Sequence, residues 1–273
     1  MKARNTIFAA VLASVPLGFG QGAYAQSNFD NPITADVIDG WELPDGRRMA
    51  GLRLTLAPGW KTYWRKPGDA GIPPRFDWKR ASNLGAVSID WPAPVVFVDN
   101  GFRSLGYKEQ VILPLTITAQ DGSKPVHLRG RMDLGVCAEV CVPFALEIDQ
   151  ELFADASSPT PAIIAALTSL PYSAKEGGVR SATCRVTPTQ DGMQIQANVE
   201  LPSTGGKEVV VIEPNVPGLW VSEADAKRSG QSLTATSEMV HIEGDPFSID
   251  RSRVRITVIG DDYAVDVQGC KAG

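Results

Sequence analysis

Histidine is scarce in this sequence, and long apolar runs are missing beyond its first 25 residues. The two histidines, His127 and His241, lie far apart in strand-like segments. No Ser-His-Asp order, glycine-rich phosphate loop or carboxylate pair stands out, so hydrolase and nucleotide chemistry lack support. Basic residues are also few, because 26 Lys+Arg stand against 31 Asp+Glu, for a net charge of −5. An acidic chain of this kind argues against nucleic acid and anionic membrane surfaces as partners.

Residues 1–25 have the parts of a signal peptide. Lys2 and Arg4 form a basic start, an apolar run follows, and Ala23-Tyr24-Ala25 has the small-x-small pattern of a cleavage site. We therefore expect an exported chain that begins near Gln26 and has no membrane span in its mature part. Retention of the apolar run as a membrane anchor is the alternative, although the run is short for a span.

Short strand-like segments separated by turns fill most of the remaining chain. Residues 34–39 and 49–56 alternate between apolar and polar with a period of two, and Pro44-Asp45-Gly46 lies between them as a turn. The 26 glycines and 20 prolines fit the same interpretation of a turn-rich chain. The sequence therefore predicts an all-β fold of the sandwich type.

A change of character near residue 157 predicts a domain boundary. A Ser/Pro-rich cluster leads into the one convincing helix, residues 161–170, which begins at Pro161 and is followed by Pro171. We expect two β-sandwich domains, a first domain over 26–155 and a second domain over 173–273. A linker with the short helix, over 156–172, would join them.

Cys137 and Cys141 are the residues to which we assign a chemical function. A turn of the chain would bring their Cα atoms within the roughly 7 Å that a disulfide requires. No histidine or third cysteine lies close in sequence, so the ligand set of a structural zinc site is missing, and neither metal nor cofactor is expected. A dithiol that opens and closes is the simplest interpretation. A permanent disulfide is the alternative, although so short a loop gains little from closure.

Cys184 and Cys270 lie near opposite ends of the second predicted domain. First and last strands of a β-sandwich can be neighbours, and an exported protein sits where disulfides persist. We therefore interpret this pair as a structural disulfide. The alternative is that one of the two is a free thiol or relays electrons to the first pair.

An aromatic turn rich in proline and glycine precedes the first cysteine pair. It reads Tyr63-Trp64-Arg65-Lys66-Pro67-Gly68-Asp69-Ala70-Gly71-Ile72-Pro73-Pro74, after Pro58-Gly59-Trp60. With residues 106–115 and 137–143 following in the same order, it resembles the periplasmic N-terminal domain of the thiol:disulfide interchange protein DsbD. The likeness is closer to ScsB of the suppressor-of-copper-sensitivity group, and it covers roughly residues 32–152.

The resemblance implies immunoglobulin-like sandwiches in the periplasm and a cysteine pair that passes reducing equivalents by thiol-disulfide exchange. Carried over, the pair is Cys137 and Cys141, and Cys141 resembles the cysteine that forms the mixed disulfide with partners. The implied partners are thioredoxin-like or disulfide isomerase-like proteins, and the implied processes include cytochrome c biogenesis and copper tolerance. The spacing of the pair is tighter than in the better known DsbD domains, which leaves redox potential and partner choice open.

Family members of the full type continue into a transmembrane electron carrier and a thioredoxin-like domain. This sequence ends at Gly273 with neither. We therefore expect a separate membrane protein to act as electron donor, with service as a stand-alone module as the alternative.

Further site residues follow from the resemblance and from position in the sequence. An aromatic residue on a loop caps the pair in such domains, and Phe102 is our choice within the matching segment 97–102. Ordinary core packing of that aromatic is the alternative.

Tyr107, Glu139 and Asp69 are candidates for tuning the thiols, because a nearby carboxylate or phenol changes thiolate stability. Glu139 is the best placed, between the cysteines, with a solvated loop charge as its alternative.

Three functions from different classes remain open. The first is a thiol-disulfide exchange module, a component of protein-disulfide reductase type. The second is a Cu(I)-binding protein that uses the same thiolates, which are soft ligands, with Met132 close in sequence. The third is a structural sandwich in which both disulfides are permanent.

Overall fold

Strands dominate the chain, as the period-two alternation of its sequence predicts. The computed structural model describes residues 31–68, 71–99, 101–153 and 158–273. The predicted signal peptide, residues 1–25, lies outside the described residues. Within them a single α-helix is present, and no helix has the length and apolar character needed to cross a membrane. The all-β fold class is therefore confirmed.

The strands of the first half form two sheets. In chain order they are Ile33–Glu42 (β1), Arg48–Leu56 (β2), Lys61–Tyr63 (β3), Arg75–Asp77 (β4), Leu84–Ile89 (β5), Val95–Asp99 (β6), Phe102–Lys108 (β7), Gln110–Ala119 (β8), Val126–Cys137 (β9) and Cys141–Leu152 (β10). One sheet has the order β1-β2-β8-β5, and the other has the order β10-β9-β3-β7-β6, with β4 also paired to β9. Alternate residues of both sheets, such as Leu52, Leu113 and Leu134, meet in one buried core.

The strands of the second half also form two sheets. They are Tyr172–Ser173 (β11), Ser181–Pro188 (β12), Met193–Glu200 (β13), Val209–Glu213 (β14), Leu219–Val221 (β15), Asp225–Ser229 (β16), Ser232–His241 (β17), Arg255–Ile259 (β18), Ala264–Gln268 (β19) and Lys271–Ala272 (β20), with a 3-10 helix at Arg251–Arg253. The sheet orders are β11-β19-β18-β14 and β15-β17-β13-β12-β20, with β16 paired to β17. Ile195, Val258 and Val265 lie in the core between these sheets.

The helix Pro161–Thr168 (α1) lies between the two pairs of sheets in sequence, and it ends two residues before the predicted helix does. Its residue Ile163 is fully buried and packs against Gly51 of β2. The predicted division into domains at 155 and 173 stays a prediction. Residues 31–273 form one compact unit, and Val209 and Ile259 of the second half belong to the core of the first.

Strand alternation decides which side chains of the β10-β9-β3-β7-β6 sheet can meet. On β9, Leu134 and Val136 point into the core, so Gly135 and Cys137 point to the outer face. The neighbouring strand β3 pairs Lys61 with Cys137. The outer face of β3 and β9 therefore carries the first cysteine pair.

Candidate functional site

The first cysteine pair closes the end of the β9–β10 hairpin. Cys137 is the last residue of β9 and Cys141 the first residue of β10, and the two are paired across the ladder. They form a disulfide with a Cα–Cα distance of 4.1 Å. Cys137 is completely buried, whereas Cys141 is exposed. An incoming sulfur can therefore reach Cys141 more easily than Cys137.

The side chain that touches both sulfurs is Tyr63, at the end of β3. Its hydroxyl oxygen lies 2.7 Å from Sγ of Cys137 and 3.1 Å from Sγ of Cys141. Disulfide sulfurs carry no hydrogen, so the hydroxyl is the donor in this state. The ring fits closely between two glycines: a Cβ at Gly135 would lie 2.9 Å from Cε2, and one at Gly71 would lie 2.8 Å from Cδ1. Glycine at both positions thus leaves the space that the ring occupies.

Burial and a nearby carboxylate keep Tyr63 protonated. Burial raises the pKa of its phenol above the usual value of 10.0, and the negative charge of Asp99 raises it further. The hydroxyl therefore keeps its proton at neutral pH. A protonated phenol beside two sulfurs can donate a hydrogen bond to whichever of them becomes a thiolate.

The end of the β6–β7 hairpin lies beside the same group of residues. Lys61 is paired with Cys137 in the ladder, and its ammonium forms an ion pair with Asp99 of β6. That ammonium also lies 4.8 Å from the centre of the Phe97 ring, close enough for a cation–π interaction. Charged and aromatic groups of β6 are therefore linked to the strand next to Cys137.

Phe102, the predicted cap, lies at the start of β7 and directly opposite Asp99. Residues paired across a ladder share a face of the sheet, so Phe102 is on the same face as Asp99. Its side chain is 65% exposed, whereas Phe97 is only 7% exposed. The capping role of Phe102 stays a prediction.

The structure does not bring Tyr107 to the sulfurs. It pairs with Thr62, on the core-facing side of the sheet, and its hydroxyl donates a hydrogen bond of 2.8 Å to the carbonyl of Pro92. Burial raises the pKa of its phenol well above 10.0.

Glu139 is exposed in the loop between the cysteines and has no hydrogen bond or ion pair within the described part of the chain. Asp69 lies outside the described residues.

Sequence reasoning missed Tyr63, Lys61 and Asp99 as site residues. Tyr63 opens the aromatic motif on which the family resemblance rests, so a signal was present. Its contact with a cysteine 74 residues away depends on the pairing of β3 with β9, which the sequence pattern does not reveal.

A metal site receives no support from the described residues. They contain no group of three or more His, Cys, Asp or Glu side chains that could hold an ion. Met132, the suggested additional Cu(I) ligand, is 1% exposed and faces the core with Leu134. Its thioether therefore points to the opposite side of β9 from the cysteine pair.

The second cysteine pair lies in the second half of the chain. Cys184 of β12 and Cys270, just before β20, form a disulfide with a Cα–Cα distance of 5.6 Å. Cys184 is fully buried, and its carbonyl accepts a hydrogen bond from Nε of Arg251. The assignment of this disulfide to a structural role stays a prediction.

The fold and the site together define an all-β protein of the sandwich type that carries a disulfide at the end of a hairpin. Residues 34–151 match the family described as thiol:disulfide interchange protein DsbD, N-terminal. The resemblance noted from the sequence is thus confirmed. No curated protein matches the chain by sequence.

A solved structure extends the likeness to both halves of the chain. The N-terminal periplasmic domain of ScsB from Proteus mirabilis is similar with a TM-score of 0.62 and 23% sequence identity. The match covers 88% of this chain and 92% of that chain. At this identity the likeness concerns the fold, and it extends beyond the segment that the family model matches.

We expect Tyr63→Phe to slow alkylation of the reduced cysteine pair at neutral pH by about tenfold. The reason is that a hydrogen bond to a charged group contributes about 1.5–3 kcal/mol, and its loss leaves less thiolate. The measurement is the pH dependence of the iodoacetamide reaction, whose profile should move to higher pH. Tyr107→Phe is the matched control, because its hydroxyl binds a carbonyl in the core. Equal shifts in both variants would contradict the role given to Tyr63.

Proposed function

We propose that this chain is a periplasmic thiol-disulfide exchange module that passes reducing equivalents through Cys137 and Cys141 to partner proteins. The observation that carries the proposal is the asymmetry of the pair, in which residue Cys137 is buried and residue Cys141 is exposed at the end of a hairpin. The match of residues 34–151 to the DsbD N-terminal family supports the same chemistry. The periplasmic ScsB domain, by its name, supports the compartment.

The proposed reaction begins with the reduced pair. The thiolate of Cys141 attacks one sulfur of a partner disulfide, the partner's S–S bond breaks, and the other partner sulfur leaves as a thiolate. The thiolate of Cys137 then attacks Sγ of Cys141, which restores the disulfide and releases the second partner sulfur as a thiolate. The partner gains two electrons and, when its thiolates are protonated, two protons.

Tyr63 is proposed to assist both steps. Its hydroxyl is within hydrogen-bond distance of each sulfur, so it can stabilise the attacking thiolate and then the resolving thiolate without a large movement.

Phe102 is proposed as a lid residue on the hairpin face that also carries Asp99. An apolar lid would limit the access of small oxidants to the reduced pair.

The proposed partners are thioredoxin-like or disulfide isomerase-like proteins, with a separate membrane protein as electron donor. Exposed apolar side chains near Cys141 support a protein partner. Val140 is 65% exposed next to Cys141, and Ile72, which packs beside Gly135, is also exposed. Apolar groups of this kind favour a partner surface that is removed from water on docking.

Titration against dithiothreitol tests the proposal and its alternatives. We expect the Cys137–Cys141 disulfide of the native protein to open in millimolar dithiothreitol, while Cys184–Cys270 stays oxidised, because structural disulfides have lower potentials. Mass mapping after alkylation identifies the open pair. A first pair that stays oxidised would favour the structural sandwich. Sub-micromolar Cu(I) binding that Cys137→Ser abolishes would favour the copper protein.

A further inference from the structure

We propose that the second half of the chain holds the β6–β7 hairpin beside the cysteine pair through the ion pair of Arg103 and Glu223. This bracing limits access to the disulfide of Cys137 and Cys141. The inference rests on the proposed function for its biological meaning only. Access of a small reductant can be measured whether or not the protein exchanges disulfides with partners.

The two faces of the hairpin make contact with different parts of the protein. Asp99 and Phe97 share one face, which is turned toward Lys61 and hence toward the strand next to Cys137. On β7, Arg103 and Leu105 alternate with the residues paired to Asp99 and Phe97. Their side chains therefore lie on the opposite face of the hairpin. The hairpin is therefore linked to the cysteine site on one side and to the second half of the chain on the other.

The ion pair on the rear face is partly shielded from water. Nη2 of Arg103 lies 2.7 Å from Oε2 of Glu223, and the two side chains are 22% and 28% exposed. Gly68, with φ of +87°, lies against the same pair, since a Cβ there would be 2.8 Å from the Arg103 carbonyl oxygen and 3.1 Å from Oε1 of Glu223. Three segments of the chain thus meet at this contact.

Behind the hairpin, close packing against the second half is incomplete, so packing cannot hold the hairpin in place of the ion pair. A cavity of about 350 Å³ lies there, lined by Arg103 and Leu105 from the hairpin and by Val210 and Glu223 from the second half, among others. An unfilled space on one side of a strand forgoes the dispersion contacts that would otherwise fix its position. Among the described residues, the ion pair of Arg103 and Glu223 is therefore the directed link that holds the hairpin from this side.

A second link joins the halves away from the hairpin. Nη2 of Arg65 lies 2.9 Å from Oε2 of Glu213, both side chains are 11% exposed, and the guanidinium stacks on the ring of Trp64 at 3.8 Å. This contact does not include the hairpin. Loss of the Glu223 carboxylate should therefore release the hairpin while the halves stay joined.

The test is the rate at which dithiothreitol opens the Cys137–Cys141 disulfide of the oxidised full chain. We expect Glu223→Gln to raise this rate by about two- to fivefold, the scale of a partly exposed ion pair. The charge-swapped double variant Arg103→Glu with Glu223→Arg should return the rate toward that of the unchanged protein.

Asp266→Asn is the matched control, because it breaks a comparable pair with Arg255 at side-chain exposures of 31% and 15%.

The outcomes separate the alternatives. An unchanged or slower rate in Glu223→Gln, an equal acceleration in Asp266→Asn, or no recovery in the charge-swapped variant would each overturn the bracing role. Thermal unfolding of each variant shows whether a faster rate comes from general destabilisation, which the control variant should share. If the rates behave as expected but no partner protein is reduced, the proposed function fails and this inference stands.

Discussion

Cys141→Ser is expected to abolish mixed-disulfide formation with a partner protein, whereas Cys137→Ser is expected to accumulate it. Cys141 is the exposed residue of the pair, so the first covalent bond to a partner should form there. Cys137 is completely buried beside it and is placed to attack Sγ of Cys141 in the second step. A variant without Cys137 keeps the first step and lacks the second, so the intermediate should persist.

The measurement uses a thioredoxin-like substrate in its oxidised form and separation of the products without reductant. Mass mapping of the trapped species should identify Cys141 as the linked residue. An aromatic disulfide reagent such as 5,5′-dithiobis(2-nitrobenzoic acid) provides an independent readout, because the single thiol in Cys137→Ser should react much faster than the buried thiol in Cys141→Ser. Equal trapping by both variants, or equal thiol rates, would show that the roles are assigned wrongly.

Local sequence pattern was sufficient to predict a turn between the cysteines, although it left open whether the turn is helical or a hairpin bend. The pattern predicts strands over residues 126–134 and 144–152, on both sides of the cysteine pair. The structure extends both strands up to the cysteines themselves, since the ladder of β9 and β10 pairs Cys137 with Cys141 directly. Such local contacts are accessible from sequence because the chain separation is small.

Contacts between distant strands were not accessible in the same way. Tyr63 reaches the sulfurs only because β3 lies between β9 and β7, an order that alternation within each strand does not encode. The same register explains the placement of Tyr107. It pairs with Thr62 and so faces the core, one residue out of phase with the face that carries Cys137.

The relation between the halves shows a further limit of the sequence pattern. The Ser/Pro-rich cluster and the helix suggest a linker. Along the chain, α1 comes after the strands of the first half and before those of the second. Composition along the chain did not indicate that Val209 and Ile259 pack into the first core or that Glu213 and Glu223 bind arginines of the first half. These contacts depend on how folded sheets dock, which is a property of surfaces and not of local pattern.

The double variant Cys184→Ser with Cys270→Ser is expected to lower the free energy of unfolding by about 4.5 kcal/mol in the chain-entropy model. The bridge closes a loop with a sequence separation of 86 residues, so its removal frees many conformations of the unfolded chain. It also joins β12 to the segment before β20, whose pairing with β12 covers only two residues. Thiol-disulfide exchange at the first pair should continue under conditions where the variant is folded.

Urea denaturation gives the measurement, with the denaturant slope used to check that the unfolded state is more expanded in the variant. The double variant Cys137→Ser with Cys141→Ser is the matched control. Its loop has a sequence separation of 4 residues, for which the same model gives only about 2 kcal/mol. If the two double variants lose equal stability, or if the second bridge proves as reducible as the first, the division into one exchangeable and one structural disulfide is wrong.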